Sequence, residues 1–268
     1  PFPGTCTDIV DYITVETSGN AHDFGILADA RHGGGQCADR TRALYAGGRG
    51  PATPGGSDTA NITFTTISST GNYADSNGDL SDSVGARGTS NSTRGLFGSF
   101  IFPYQDAIDY VTIQSLGNAQ DFGNLTEVRG YGMALSSSVR GVFAGGINNP
   151  TNFSTNVIDY VTISSTGDAQ DFGDLVSNSG TGAYESGCAN SSTRGVIAGG
   201  QRFLKKIDFF TITTTGNAQN FGELDVLSTS GKGGTSSNTR GVIAGGSVPS
   251  PATNIMEFIT IATTGNAV

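Results

Sequence analysis

Apolar and polar positions along the chain fall into short patterns that return. In the segment from Val157 to Ile163 (VIDYVTI), β-branched and aromatic side chains alternate in part with Asp and Thr, which predicts a strand rather than a helix. The same strand recurs at 10–15, 62–67, 108–113, 207–212 and 256–261. Each copy runs into a Thr-Gly-Asn-like turn, since Gly and Asn tolerate positive φ. The turn glycines are residues 19, 71, 117, 167, 216 and 265, in steps of 52, 46, 50, 49 and 49. A second pattern lies between the copies: TRGVIAGG at 239–246 and 193–200, VRGVFAGG at 139–146, TRALYAGG at 41–48, and a degraded version at 93–99. Its small residues suit a buried strand where backbones approach closely. An Asp-Phe-Gly-x-Leu piece after the turn reads as a short outer strand, and Ser-Ser-x-Thr-Arg as a second turn.

A period near 50 residues with four short strands predicts an all-β propeller, with approximate repeats 9–60, 61–106, 107–156, 157–205, 206–254 and a partial repeat 255–268. Gly-Gly-type strands number five and Asp-Tyr-type strands six, because the chain starts and ends on the latter. Five four-stranded blades are expected, closed by N-terminal strands pairing with the C-terminal repeat so that no edge is exposed. The surplus copy leaves two alternatives: six or more blades in a longer parent chain, or a strand that pairs with a neighbouring subunit. The chain opens on Pro without a charged-then-apolar leader, which reads as a processed chain or a piece of a longer one.

The arrangement resembles the kelch repeat, in which an apolar strand ends in Gly-Gly and is followed by a variable loop, an acidic-aromatic strand, a turn, and a short outer strand followed by Arg. The matching residues are Gly47-Gly48, Gly145-Gly146, Gly199-Gly200 and Gly245-Gly246, with Asp11-Tyr12, Asp109-Tyr110, Asp159-Tyr160, Asp208-Phe209 and Glu257-Phe258. The following Arg survives at Arg31 and Arg129, and the family's outer-strand Trp is Phe here (Phe24, Phe122, Phe172, Phe221). In style the repeats also look like those of predicted virion structural proteins of marine tailed phages. That likeness implies a capsid, tail or fibre appendage rather than an enzyme.

Composition narrows the function. The net charge of −9 and pI near 4.5 argue against a nucleic-acid partner. No apolar run reaches 18 residues, so membrane insertion is not expected. Gly makes up 41 of 268 residues without a three-residue period, which excludes collagen.

Each candidate site has a structural alternative. Arg42, Arg94, Arg140, Arg194 and Arg240 recur at one blade position. They could ring one face and hold an anionic or sugar ligand, but recurrence in every blade favours a structural Arg bonded to backbone carbonyls or to an acid. The repeated acids Asp11, Asp109, Asp159, Asp208 and Glu257 are the expected partners. Asp23, Asp121 and Asp171, with Asn220 in the fourth place, read as Asx turns rather than a calcium site. His22 and His32 have no ligand cluster beside them, so no metal is expected, and no nucleophile elbow supports hydrolysis. Cys37 and Cys188 read as small buried residues, with Cys6–Cys37 a possible staple. No catalytic residue and no cofactor is expected. The blade-specific oddities His32, Glu185 and Lys232 form no recognisable set in the sequence.

The expected function is a non-enzymatic structural or adhesion module on a virion or extracellular surface. It would bind other virion or surface proteins, or a host glycan, through blade loops, and be present in many copies. Tyr104, Phe153 and Phe203 are the candidate loop contacts. The alternatives are a glycan-binding lectin and, after it, an enzyme with its site at the channel mouth.

Overall fold

The computed structural model describes residues 6–51, 58–82, 85–100, 103–115, 117–148, 151, 153–176, 183–201, 205–227, 230–247 and 253–268. Among them are 22 strands and no helix. A hairpin of β1 (Ile9–Tyr12) and β2 (His22–Ile26) comes first. Blade one holds β3 (Gly35–Ala38), β4 (Arg42–Ala46), β5 (Asn61–Thr66) and β6 (Ala74–Asp79). Blade two holds β7 (Arg87–Ser90), β8 (Arg94–Gly98), β9 (Gln105–Thr112) and β10 (Gln120–Gly130). Blade three holds β11 (Met133–Ser136), β12 (Arg140–Ala144), β14 (Val157–Thr162) and β15 (Gln170–Asp174), while β13 (Ile147–Asn148) joins the outer edge of blade two. Blade four holds β16 (Gly187–Asn190), β17 (Arg194–Ala198), β18 (Lys206–Thr211) and β19 (Gln219–Glu223). Blade five holds β20 (Ser230–Ser236), β21 (Arg240–Ser247) and β22 (Met256–Thr260).

Each blade is an antiparallel sheet in chain order, and the five sheets form a five-bladed β-propeller. Four strands per blade therefore describes blades one, three and four. Blade two gains β13, and blade five has three named strands. The apolar residues of one sheet pack on the next sheet rather than within a layer of their own. One core cluster joins Leu135, Val142, Ile158 and Phe172 of blade three to Ile197, Phe210 and Ile212 of blade four, and the other clusters bridge blades in the same way.

The repeated glycines answer to this stacking. Gly216 N–H donates to the Phe172 carbonyl of the preceding blade at 2.7 Å. Facing it, Gly173 sits at φ +141°, where an added Cβ would lie 2.6 Å from the Gly216 carbonyl carbon. The Phe-Gly of an outer strand and the Thr-Gly of the next turn are thus two sides of one contact. The Ser-Ser-x-Thr-Arg turns are closed by side-chain oxygens: Ser191 Oγ accepts from Arg194 N–H at 3.0 Å, and Asn91 Oδ1 from Arg94 N–H at 2.8 Å.

Closure differs from the expected pairing. Among the described residues β1 bonds to β2 and to no strand of the C-terminal repeat. The reason is that β1 carries the same strand-three sequence as β22, so it takes the strand-three place of a further sector instead of extending blade five. Arg240 reaches Ser18 Oγ at 3.2 Å from one side. On the other side, Gly71 N–H donates to the Phe24 carbonyl at 2.8 Å.

Candidate functional site

The recurrent arginines share one arrangement. Each begins the second strand of its blade, and its guanidinium lies over the aromatic ring of the third: Arg42 over Phe64, Arg94 over Tyr110, Arg140 over Tyr160, Arg194 over Phe209 and Arg240 over Phe258, at 3.7–4.7 Å from the ring centroid. Four of them also donate to a carbonyl of the next blade: Arg42 to Ile113 O, Arg94 to Ile163 O, Arg140 to Ile212 O and Arg194 to Ile261 O, at 2.9–3.1 Å.

The expected pairing of these arginines with the repeated acids is not what the structure shows. The ladder register places Arg140 opposite Thr162, but Asp159 opposite Phe143, three pairs along and on the other face of the sheet. The acids find other partners. Asp159 meets Arg129 at 2.9 Å, both fully buried. Glu257 meets Lys232 at 3.4 Å. Asp109 accepts from Ser81 N–H and Oγ at 2.7 and 2.8 Å, and Asp208 from Val176 N–H at 2.8 Å. Burial pushes the Asp208 carboxyl up to about 7, against a hydrogen bond and the Lys206 charge that lower it. Asp11, in β1, is exposed.

The five innermost strands, β3, β7, β11, β16 and β20, surround a central channel. At one mouth they enclose a cavity of about 660 Å³. Its polar side chains include His32, Arg49, Arg87, Tyr131, Glu185 and Lys232. The three oddities that looked unrelated in the sequence therefore share one cavity. Further along the channel, a ladder of short side chains lines a second space of about 540 Å³: Ser136 Oγ donates to Ser90 O, Asn190 Nδ2 to Ser136 O and Ser236 Oγ to Asn190 O, at 2.6–2.8 Å.

Backbone geometry marks the mouth. The residue fourteen before the first Gly of each Gly-Gly pair, or its degraded counterpart, is left-handed in every blade: Gly33 (φ +76°), Gly85 (φ +44°), Tyr131 (φ +59°), Glu185 (φ +56°) and Gly231 (φ +69°). Three blades use glycine there, as the conformation favours. Blades three and four put Tyr131 and Glu185 in its place, at a conformational cost of about 1–2 kcal/mol each. Both side chains thereby enter the cavity. Glu185 N–H donates to the Tyr131 carbonyl at 3.2 Å, and Lys232 N–H to the Glu185 carbonyl at 3.2 Å, which ties three blades together at the rim.

The charges are partly committed. Arg49 pairs with Asp58 at 3.3 Å, and Lys232 is held by Glu257. Arg87 donates to backbone carbonyls, with Nε 2.9 Å from Gly132 O; burial lowers its pKa, and the Glu185 charge opposes that shift. Cys188 also lines the cavity, and burial pushes its thiol up to about 12.

The fold is similar to that of YjhT. The solved structure titled "Structure of YjhT" superposes with a TM-score of 0.76 at 9% identity, covering 97% of this chain and 96% of that one. No family model matches the chain, and no curated protein does. At this identity the likeness concerns the fold alone.

The remaining sequence candidates lie as follows. Tyr104 stands edge-on to Tyr131, with centroids 6.2 Å apart, beside the mouth. Phe153 is 69% exposed, and Phe203 lies outside the described residues. All three cysteines are free, so the Cys6–Cys37 staple is absent; Cys6 Sγ instead lies 3.1 Å from His32 Nδ1. His22, expected in a surface turn, is exposed on β2 against Tyr12. Asp171 makes an Asx contact, accepting from Gly173 N–H at 3.2 Å. Sequence reasoning missed Tyr131 and Arg87. For Tyr131 the signal was available: counting back from the Gly-Gly pairs gives Gly, Gly, Tyr, Glu and Gly at one position.

Proposed function

We propose that this chain is a non-enzymatic binding module that holds a saccharide-sized polar ligand at the channel mouth, displayed in many copies on a virion or other extracellular surface. The observation that carries the reading is the pair Tyr131 and Glu185. At a position where three blades use glycine, two large side chains are kept in a strained conformation, and both line the same cavity. Its volume falls within the range of small-molecule sites, and an aromatic face beside charged and polar groups suits a sugar ring. The surface setting is supported by the style of the repeats and by a net charge of −9, which disfavours polyanionic partners.

The test is a glycan array read with the intact protein and with Tyr131→Gly and Glu185→Gly. Each variant is expected to lose the bound glycans while melting no lower than the parent. Undiminished binding in both variants, or an array left empty by the parent, refutes the reading. A second reading, an enzyme at the same mouth, is favoured by the Cys6–His32 contact and would be selected if a bound ligand were turned over.

A further inference from the structure

Arg31 and Arg129, the two arginines that follow an outer strand, hold one repeat position, sixteen residues before the first Gly of a Gly-Gly pair. Both are buried, at 4% and 0% exposure. Both donate to a carbonyl at one place in strand two of their blade: Arg31 to Tyr45 O at 3.3 Å and Arg129 to Phe143 O at 3.1 Å. The Nε of each is buried without a hydrogen-bond partner.

Their counter-charges differ. Arg129 has two acids, Asp159 at 2.9 Å and Glu127 at 3.3 Å. In blade one Thr63 stands opposite Tyr45, as Asp159 stands opposite Phe143, so a hydroxyl replaces the carboxylate. The Thr63 hydroxyl accepts from Arg31 at 2.8 Å and donates to the Tyr45 carbonyl at 3.1 Å. Asp29 holds the place of Glu127, is one methylene shorter, and is exposed. Every Asp and Glu of the sequence lies among the described residues, and none comes within 4 Å of Arg31. Burial lowers the Arg31 pKa, against the opposing influence of Tyr45, Asp29 and Asp75.

A backbone donor belongs to the same place in the repeat. Where a blade has the acid, the residue after the last Leu of the preceding outer strand gives its N–H to that acid: Ser81 to Asp109, Thr126 to Asp159, Val176 to Asp208 and Asp225 to Glu257. Ala28, after Leu27, holds this position for blade one. Blade one thus keeps the buried cation and the amide of the repeat and loses the acid. We propose that it binds a small monovalent inorganic anion of chloride size, held by the Arg31 guanidinium and the Ala28 amide, which does for Arg31 what the Asp159 carboxylate does for Arg129. One guanidinium calls for one negative charge, and a site walled by Thr63, 0% exposed, admits nothing large. The link so held carries His32 and Gly33 to the channel mouth.

The test is urea denaturation of the full chain at fixed ionic strength, with chloride replacing gluconate, an anion too large for the site. Chloride is expected to lower the unfolding constant saturably, about tenfold at about ten times its dissociation constant. Thr63→Asp supplies the carboxylate of the other blades; it is expected to be more stable than the parent in gluconate and to lose the chloride dependence. Should that variant fail to fold, crystals of the parent soaked in bromide decide, with one anomalous scatterer expected beside Arg31. Equal stability of the parent in the two salts, a chloride response that Thr63→Asp retains, or bromide at other places alone (an adventitious ion only) overturns the proposal. So does Asp29→Asn that destabilises equally in both salts, which would make Asp29 the counter-charge.

Discussion

Replacing Asp208 by Asn tests how the buried acids are held. Asp159 and Glu257 are each paired with a cation, whereas Asp208, 1% exposed, accepts from Val176 N–H among the described residues. Burial raises its pKa from 3.8 to about 7. For an acid raised in the folded state, the stability contribution is complete below the unfolded value, near pH 4, and is lost as pH rises through about 7. The gap of about three units sets a ceiling of roughly 4 kcal/mol, and solvent screening discounts this toward about 2 kcal/mol. The carboxamide that replaces the acid would keep an oxygen for Val176 N–H and cannot ionise. Asp208→Asn should therefore match the parent near pH 4 and melt about 4–8 °C higher at pH 8, read by calorimetry across that range. Asp159→Asn is the control: it removes the buried anion of Arg129, leaving it only the more exposed Glu127 at 3.3 Å, and should destabilise at both pH values. A gap between Asp208→Asn and the parent that does not change with pH would refute the assignment of the raised pKa.

Three further outcomes are expected. Arg194→Lys forfeits both the stack on Phe209 and the bond to the Ile261 carbonyl, and should cost about 1–2 kcal/mol by denaturant melt; an unchanged midpoint would show the Arg to be dispensable. Gly173→Ala should destabilise by about 2 kcal/mol or more, because its Cβ meets backbone, whereas Gly19→Ala, which meets nothing within 4 Å, should be nearly neutral. With iodoacetamide followed by mass spectrometry, Cys6 should label well before Cys37, whose thiol burial pushes up; equal rates would contradict the burial of Cys37.

Much of the architecture was legible because the repeat fixes it. The Asp-Tyr strands, the Phe-Gly outer strands and the Thr-Arg turns all lie where the periodic pattern puts them. Strand identity did not yield side-chain pairing. The Arg and acid sets looked complementary, but partnership depends on register and face, and three residues of offset turned them to opposite sides of the sheet. The site was legible only in pieces. His32, Glu185 and Lys232 stood out as deviations, but their meeting depends on five innermost strands converging on one axis. Tyr131 stands out only when the repeats are aligned on their Gly-Gly pairs, because nothing local announces a left-handed tyrosine.

Packing between blades rather than within them has a mechanical consequence. Each sheet draws its stability from the sheets it touches, so a blade that loosens strips apolar packing from its neighbours, and the blades should give way together rather than one at a time.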